Sequence, residues 1–402
     1  MTKTSSDYQI LRFIIILFLG WKAIVTLIAF FGISFLPIKL PGEEIVLAGS
    51  ATDFWGKWAN WDGGHFRGIA EAGYIPFQVV FFPLYPLLIK LLIFLGLHSL
   101  WGGLLISNLA IIGALFYLYK LVSLDFDETI AKKAVFITLA FPTAFYFNAV
   151  YSESLFLFLT TGAFYYARTK RWLLAILLAS LAAVTRLTGL IVIFTVALEY
   201  LLKTTKLPTI KEFWSEFLNR IASYSILLAI LISIFQSIFI DNQFYMLAGL
   251  SKTVAIFLTV MAVMLLSVFI IQFFLKQLDF RKLPTIPTFF LLLSFVPFLL
   301  YCLFLYFAQG NFLAFIAHEK QWSRELTLPW VAPINYFKHL FEMNFFVVGK
   351  SAQGLIEFIF FVFFITMLIF SYIKFRLSYT IYFALSLLIP VTTGTLQAIH
   401  RY

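Results

Sequence analysis

Residues 10–36 read ILRFIIILFLGWKAIVTLIAFFGISFL. The only charges in this run are Arg12 and Lys22, and its length matches the roughly 20 apolar residues a helix needs to cross a hydrocarbon layer about 30 Å thick. Outward from it, comparable runs recur at 101–122, 131–147, 153–168, 172–186, 188–203, 219–240, 252–275, 286–308, 353–373 and 378–396, which makes about eleven spans. The stretch from Arg171 to Leu202 is too long for one span, and Arg186-Leu187-Thr188-Gly189 divides it into two short helices meeting near one surface. No run alternates in polarity over about ten residues, as the strands of a membrane barrel do. Of the 402 residues, 62% are hydrophobic and 12% charged, against roughly 25% charged in soluble domains. A soluble fold is excluded, and an all-α polytopic membrane protein is expected, with residues 1–402 as a single integral membrane domain.

Charge gives an orientation. With the N-terminus cytoplasmic, the cytoplasmic ends of the spans carry Lys3, Arg12, Lys120, Lys132, Lys133, Arg168, Lys170, Arg171, Lys203, Lys206, Lys211, Arg220, Lys276, Arg281, Lys282, Lys374 and Arg376. These are 17 of the 29 lysines and arginines, the bias expected of inward-facing loops. The net charge of +10 is thereby explained by topology, and no nucleic-acid partner is implied. The first run is expected to stay as a span, because it exceeds 20 apolar residues and no small-residue cleavage site follows. Two long polar segments, 37–100 and 309–352, then face outward, so the chemistry is expected on the extracytoplasmic side. Within the first of them, the apolar run Val79 to Leu97 reads as a helix lying in the membrane interface.

The single cysteine, Cys302, excludes an intramolecular disulfide and a cysteine metal cluster. No P-loop and no dinucleotide-type glycine motif is present, and the five histidines are too scattered for a metal site. Asp125-Phe126-Asp127 has the form of a nucleotide-sugar DxD, but a short cytoplasmic connection leaves no room for a nucleotide-binding domain. Those acids read as the solvated start of the helix near Glu128.

The densest polar cluster is Trp61-Asp62-Gly63-Gly64-His65-Phe66-Arg67, followed by Glu71-Ala72-Gly73-Tyr74. A carboxylate beside a histidine at a bilayer surface suits deprotonation of a hydroxyl; the alternative is a helix cap over a packed histidine. Glu153, in Tyr151-Ser152-Glu153-Ser154, is an acid at membrane depth or the first-turn acid of the next helix. Arg186, basic on the outer side against the charge bias, offers parallel hydrogen bonds to a phosphate or an ion pair to Glu153 or Asp62. Gln321 and Trp322 in the late outer loop, and His400 and Arg401 at the end, are donors and rings of the kind that bind sugars and phosphates, and also of the kind that form interfacial belts.

The order of these motifs, Trp61-Asp62 with His65-Phe66, Ile69-Ala70-Glu71-Ala72-Gly73-Tyr74, Phe81-Phe82-Pro83-Leu84-Tyr85-Pro86, Tyr151-Ser152-Glu153-Ser154-Leu155-Phe156 and Thr185-Arg186 to Gly189-Leu190, resembles the PIG-V family, which contains the second mannosyltransferase of GPI-anchor biosynthesis and prokaryotic relatives. The resemblance covers residues 10–202, a catalytic module, and thins over 203–402 to Gln321-Trp322 and Arg401-Tyr402. It implies a GT-C fold that moves a hexose, typically mannose, from a polyprenyl (dolichyl) phosphate to a hydroxyl of a lipid-linked glycan. It also implies Asp62 as general base, Glu153 as the acid of the second outer loop, and Arg186 and Arg401 as phosphate ligands; His65 and Arg67, from the same polar cluster as Asp62, are expected to bind substrate. No nucleotide cofactor is implied, and a divalent cation is left open. In the family a further helix is expected beyond Arg401-Tyr402. Short loops point to a prokaryotic cytoplasmic membrane. The rival readings are a transporter or flippase, which often shows internal repeats absent here, and a noncatalytic scaffold of a glycan-assembly complex.

Overall fold

The computed structural model describes residues 6–35, 54–204, 285–322, 324–325, 327–342, 350–396 and 399. Its helices are α1 (Asp7–Phe35), α2 (Asp62–Ala72), α3 (Leu84–Phe94), α4 (Ser99–Val122), α5 (Glu128–Ala140), α6 (Glu153–Arg168), α7 (Trp172–Ala183), α8 (Gly189–Thr204), α9 (Thr285–Leu293), α10 (Val296–Gln309), the single turn α11 (Ala314–Ala317), α12 (Val331–Glu342), α13 (Lys350–Lys374) and α14 (Leu377–Val391). Tight 3-10 turns occupy Gly56–Ala59, Pro76–Val80, Ala144–Asn148 and His318–Trp322, and there is no strand among the described residues. Met1–Glu199 and Ile286–Tyr402 group into one compact unit.

Among the described residues, four stretches are long and apolar enough to cross a membrane: Asp7–Gly32, Ser99–Val122, Ile286–Gln309 and Gly354–Lys374. Their outward faces leave Leu19, Ile28, Leu109, Phe307 and Ile373 exposed, a surface suited to a bilayer rather than to water. The chain is an all-α membrane protein. The apolar runs at 153–168, 172–186 and 188–203 correspond to α6, to α7 with its following turn, and to α8. Four runs depart from their sequence limits, each at or beside a proline, among them the 378–396 run, whose helix ends at Val391 next to Pro390. The 131–147 run is helical only to Ala140, because Phe141 precedes Pro142 and adopts extended backbone. The 286–308 run breaks at Ser294-Phe295, just before Pro297 enters the first turn of α10. Pro83 cuts the interfacial run, leaving α3 with 11 residues, a length of about 16 Å at 1.5 Å per residue. The runs at 219–240 and 252–275 lie outside the described residues.

Close helix approach is bought with small side chains. At Gly113 and Gly162 of the α4–α6–α7 packing, an added Cβ would sit within 2.8 Å of the Phe158 ring or of Leu178. Thr161 donates to the Ala114 carbonyl at 3.3 Å, so a polar group supplements dispersion in this apolar seam. A second polar chain reaches the N-terminal end of α4. Tyr85 of α3 donates to the Gly103 carbonyl at 3.0 Å and meets Ser107 Oγ at 2.7 Å, and Ser107 in turn donates to the Tyr151 carbonyl at 3.1 Å. All of these groups are buried, so α3 and α4 fix the backbone immediately before α6.

At the other end of α6, Arg168 makes two parallel bonds of 2.6 Å to Asp125 and donates to Tyr379 of α14 at 2.9 Å. Glu199 of α8 is 2% exposed and accepts from Arg376 at 2.9 Å and Ser378 at 2.8 Å. Asp127 caps α5 by accepting from the Ile130 amide at 2.8 Å. Both acids of the DxD-like triplet therefore have structural partners.

Candidate functional site

Two loops are stitched together at the N-terminal ends of α4 and α6. The Val150 amide donates to the Trp58 carbonyl at 2.8 Å, and the Tyr151 hydroxyl donates to the Asn60 carbonyl at 3.0 Å. Gly63 lies so close to this seam that an added Cβ would stand 3.1 Å from the Val150 carbonyl oxygen. Asp62 is the first residue of α2 and Glu153 the first residue of α6, so the seam brings the N-termini of two acid-bearing helices onto neighbouring loops. An acid in the first turn is electrostatically suited to that position.

The backbone entering α2 is strained. Trp61 has φ 55° and ψ −122°, a region favouring glycine, and its side chain is 68% exposed. Such a conformation costs on the order of 1–3 kcal/mol and persists only where surrounding contacts enforce it. Here the enforcing contacts are the Trp58–Val150 and Asn60–Tyr151 hydrogen bonds on one side and the turn of α2 on the other. Trp61→Gly is therefore expected to raise the thermal stability of the detergent-purified protein, by about 1 kcal/mol after the entropy cost of glycine in the unfolded chain. A lower melting temperature in that variant would show that the indole packs usefully despite its exposure.

His65 is buried one turn into α2, within an aromatic box. Phe81 stacks on it at 4.9 Å, and Phe77 and Trp322 meet it edge-on at 5.7 and 5.3 Å. Gln78 Nε2 lies 3.1 Å from His65 Nδ1; with the amide donating, the ring proton sits on Nε2. Burial pushes the His65 pKa below its usual value, and the Asp62 charge opposes that only in part. The folded ring is thus neutral where an unfolded one would begin to protonate, so stability is retained above about pH 6.5 and lost as pH falls below it. Thermal unfolding at about pH 5.5 and pH 7.5 should show this loss, and His65→Gln should flatten it.

Trp322 arrives from the segment after α10, which docks on the turn at Pro76–Val80. His318 Nε2 lies 2.9 Å from Gln309 Oε1, and Gln309 donates to the Pro76 carbonyl at 3.2 Å. Sequence named His65 and Trp322 separately, and the structure places them in contact. Gln321 beside them is exposed. Arg67 turns away from the aromatic box: it donates to Ser99 at 2.9 Å and pairs with Glu71 at 3.7 Å, tying α2 to the start of α4. Glu319 pairs with Arg324 at 3.4 Å, and its carboxyl is pushed above the usual range by burial, with Arg324 acting against the shift. His400 and Arg401 lie outside the described residues.

Arg186 sits in the turn between α7 and α8, where its amide bonds the Ala182 carbonyl at 3.2 Å. Its guanidinium pairs with Glu153 at 3.0 Å; the carboxylate is 8% exposed and the arginine 19%. Of the alternatives that the sequence left for Arg186, the ion pair to Glu153 forms, and it lines a cavity of about 270 Å³. Aromatic walls come from Phe141, Tyr146, Phe147 and Phe364, and hydroxyls from Thr143, Thr188, Tyr382 and Ser386. Tyr382 and Ser386, contributed by α14, were missed in the sequence; a tyrosine and a serine in an apolar run carry no local signal. Among the described residues no group of three His, Cys, Asp or Glu side chains could hold a metal ion.

A second, larger space of about 780 Å³ runs along α10. Leu84, Leu87, Pro297, Leu300 and Phe304 make it apolar, and Lys90 stands at its side. The turn between α7 and α8 contributes to both spaces: Val184 lines the larger and Arg186 the smaller. The Leu84 amide donates to the Val184 carbonyl at 2.9 Å, which pins that turn to α3.

No family model, curated protein or solved structure matches this chain. The functional reading therefore rests on the site itself and on the motif order.

Proposed function

We propose that this protein is an inverting glycosyltransferase of the PIG-V type. In this reading it moves a hexose, mannose by preference, from a polyprenyl phosphate to a hydroxyl of a lipid-linked glycan or another acceptor. It acts as a multi-pass protein of the GT-C architecture in a prokaryotic cytoplasmic membrane, N-terminus inside and site outside. The observation that carries the reading is the stitched seam: a half-buried acid behind a strained turn, next to a loop whose own acid holds an arginine in a headgroup-sized cavity. The apolar groove beyond the α7–α8 turn adds support, since a lipid-carried sugar needs both a polar pocket and an apolar path for its chain.

In this reaction Asp62 takes the proton of the acceptor hydroxyl. The freed oxygen attacks the anomeric carbon as the bond from that carbon to the phosphate oxygen breaks, which inverts the centre. Polyprenyl phosphate leaves with both electrons of that bond. Its charge is what Arg186 is suited to stabilise, in a cavity where aromatic walls limit competition from water. A phosphate leaving group has less need of protonation than of charge stabilisation, so one base and one cation carry the step.

The test is transfer from synthetic polyprenyl-phosphate mannose to extracted membrane lipids by the purified full-length protein. Transfer that depends on Asp62 supports the reading. Absence of transfer from mannose, glucose and other hexose carriers, in protein shown to be folded, would move the weight to a transporter.

A further inference from the structure

The cavity contains its own anion. Among the described residues that line it, Glu153 is the one acid and Arg186 the one cation, and the other lining groups are rings, hydroxyls and an aliphatic side chain. Empty, the cavity is electrically balanced by a 3.0 Å pair whose carboxylate is almost wholly buried. A phosphate entering the same space would bring one or two further negative charges toward that carboxylate, in surroundings that screen poorly. With about 270 Å³ available, the incoming anion cannot be kept far from Glu153.

We propose that Glu153 is a built-in competitor for the phosphate, so that substrate binding is a partner exchange on Arg186. The phosphate oxygens take the guanidinium, and the carboxylate moves aside toward the hydroxyls of Thr143, Thr188 and Ser386. The exchange has two consequences. The resting site keeps a partly buried arginine neutralised, which protects the fold from an uncompensated charge. It also weakens binding of the phosphate carrier that remains after transfer, because Glu153 competes to re-form its pair and so favours release. Glu153 is then a positioning residue acting through Arg186, whereas Asp62 touches the acceptor. The inference rests on the reading of Arg186 as a phosphate ligand.

The experiment measures binding of a short-chain polyprenyl monophosphate, and separately of inorganic phosphate, to the full-length protein in detergent. The proteins compared are wild type, Glu153→Gln, Glu153→Asp and Arg186→Gln. The expected result is at least tenfold tighter binding of the lipid phosphate by Glu153→Gln, a larger stabilisation of that variant against heat by the ligand, and weaker binding by Arg186→Gln. Inorganic phosphate following the same order would mean that the phosphate group alone drives the exchange; if only the lipid phosphate follows it, the chain contributes too. Equal or weaker binding by folded Glu153→Gln, with Arg186→Gln still impaired, overturns the exchange and leaves the phosphate reading standing. Unchanged binding by Arg186→Gln overturns both. Should Glu153→Gln fail to fold, Glu153→Asp keeps the charge but withdraws it by one methylene: tighter binding supports the exchange, and equal binding removes it.

Discussion

Asp62→Asn is expected to lower sugar transfer by about 10²- to 10⁴-fold, the range that a positioned general base contributes. The substitution is nearly isosteric and should leave the fold intact. Trp61, just before it, offers no side-chain cap to α2, and the loop is held to the 150–151 segment by the Val150 amide and the Tyr151 hydroxyl, which donate to the Trp58 and Asn60 carbonyls. Donor affinity should also be unchanged, since the cavity lined by Arg186 and Glu153 does not include Asp62. The measurement is initial transfer rate against donor concentration, with thermal unfolding as the control on fold. A variant that turns over at near wild-type rate would remove Asp62 as base, and one that loses donor binding as well would make it a substrate ligand.

Gly189→Ala is the second large effect, expected to cost about 3 kcal/mol or more and to abolish transfer. Gly189 opens α8, and a Cβ there would fall inside the backbone of Ala182 and Ala183 at the end of α7. Backbone cannot swing aside as a side chain can, so the α7–α8 turn would have to open and carry Arg186 away from Glu153. By helix propensity alone the change to alanine should favour a helix by about 1 kcal/mol, so the sign of the effect separates the two influences. Gly20→Ala makes the control, because nothing lies within 4 Å of a Cβ built there. Equal melting temperatures for Gly189→Ala and wild type would mean that the turn relaxes without strain.

The helical class, and many of the helix limits, were legible in the sequence because they follow from local rules. An apolar run of sufficient length must satisfy its own backbone hydrogen bonds, which makes it helical, and a proline is tolerated in a helix's first turn but removes a hydrogen bond and disrupts the helix farther in. The division of 172–203 at Arg186–Gly189 was legible for the same reason. Where the structure departs from those limits, at Phe141, Ser294 and Pro83, the proline was in view but apolarity outweighed it in setting the limits. The polar cluster at 61–67 was also legible as a concentration of chemistry, though not the strained backbone at Trp61 that presents Asp62.

Pairing was not legible in this way. Arg168 reaches a tyrosine 211 positions away, Tyr301 bonds a carbonyl 222 positions away, and Trp322 closes the box around His65. Choices among partners such as Glu153 or Asp62 for Arg186, or the assignment of Arg67 to Ser99, depend on which helices pack together and at what height. Such packing is set by shape along whole faces: Gly113 receiving Phe158, Gly103 facing Val150, Gly162 admitting Leu178. Hydrophobic length thus determined by itself that this chain forms membrane helices and where its polar chemistry concentrates. Only the tertiary structure decided which charges meet and what they enclose, because a single charged residue carries no local preference among distant partners, whereas packed helices leave room for one.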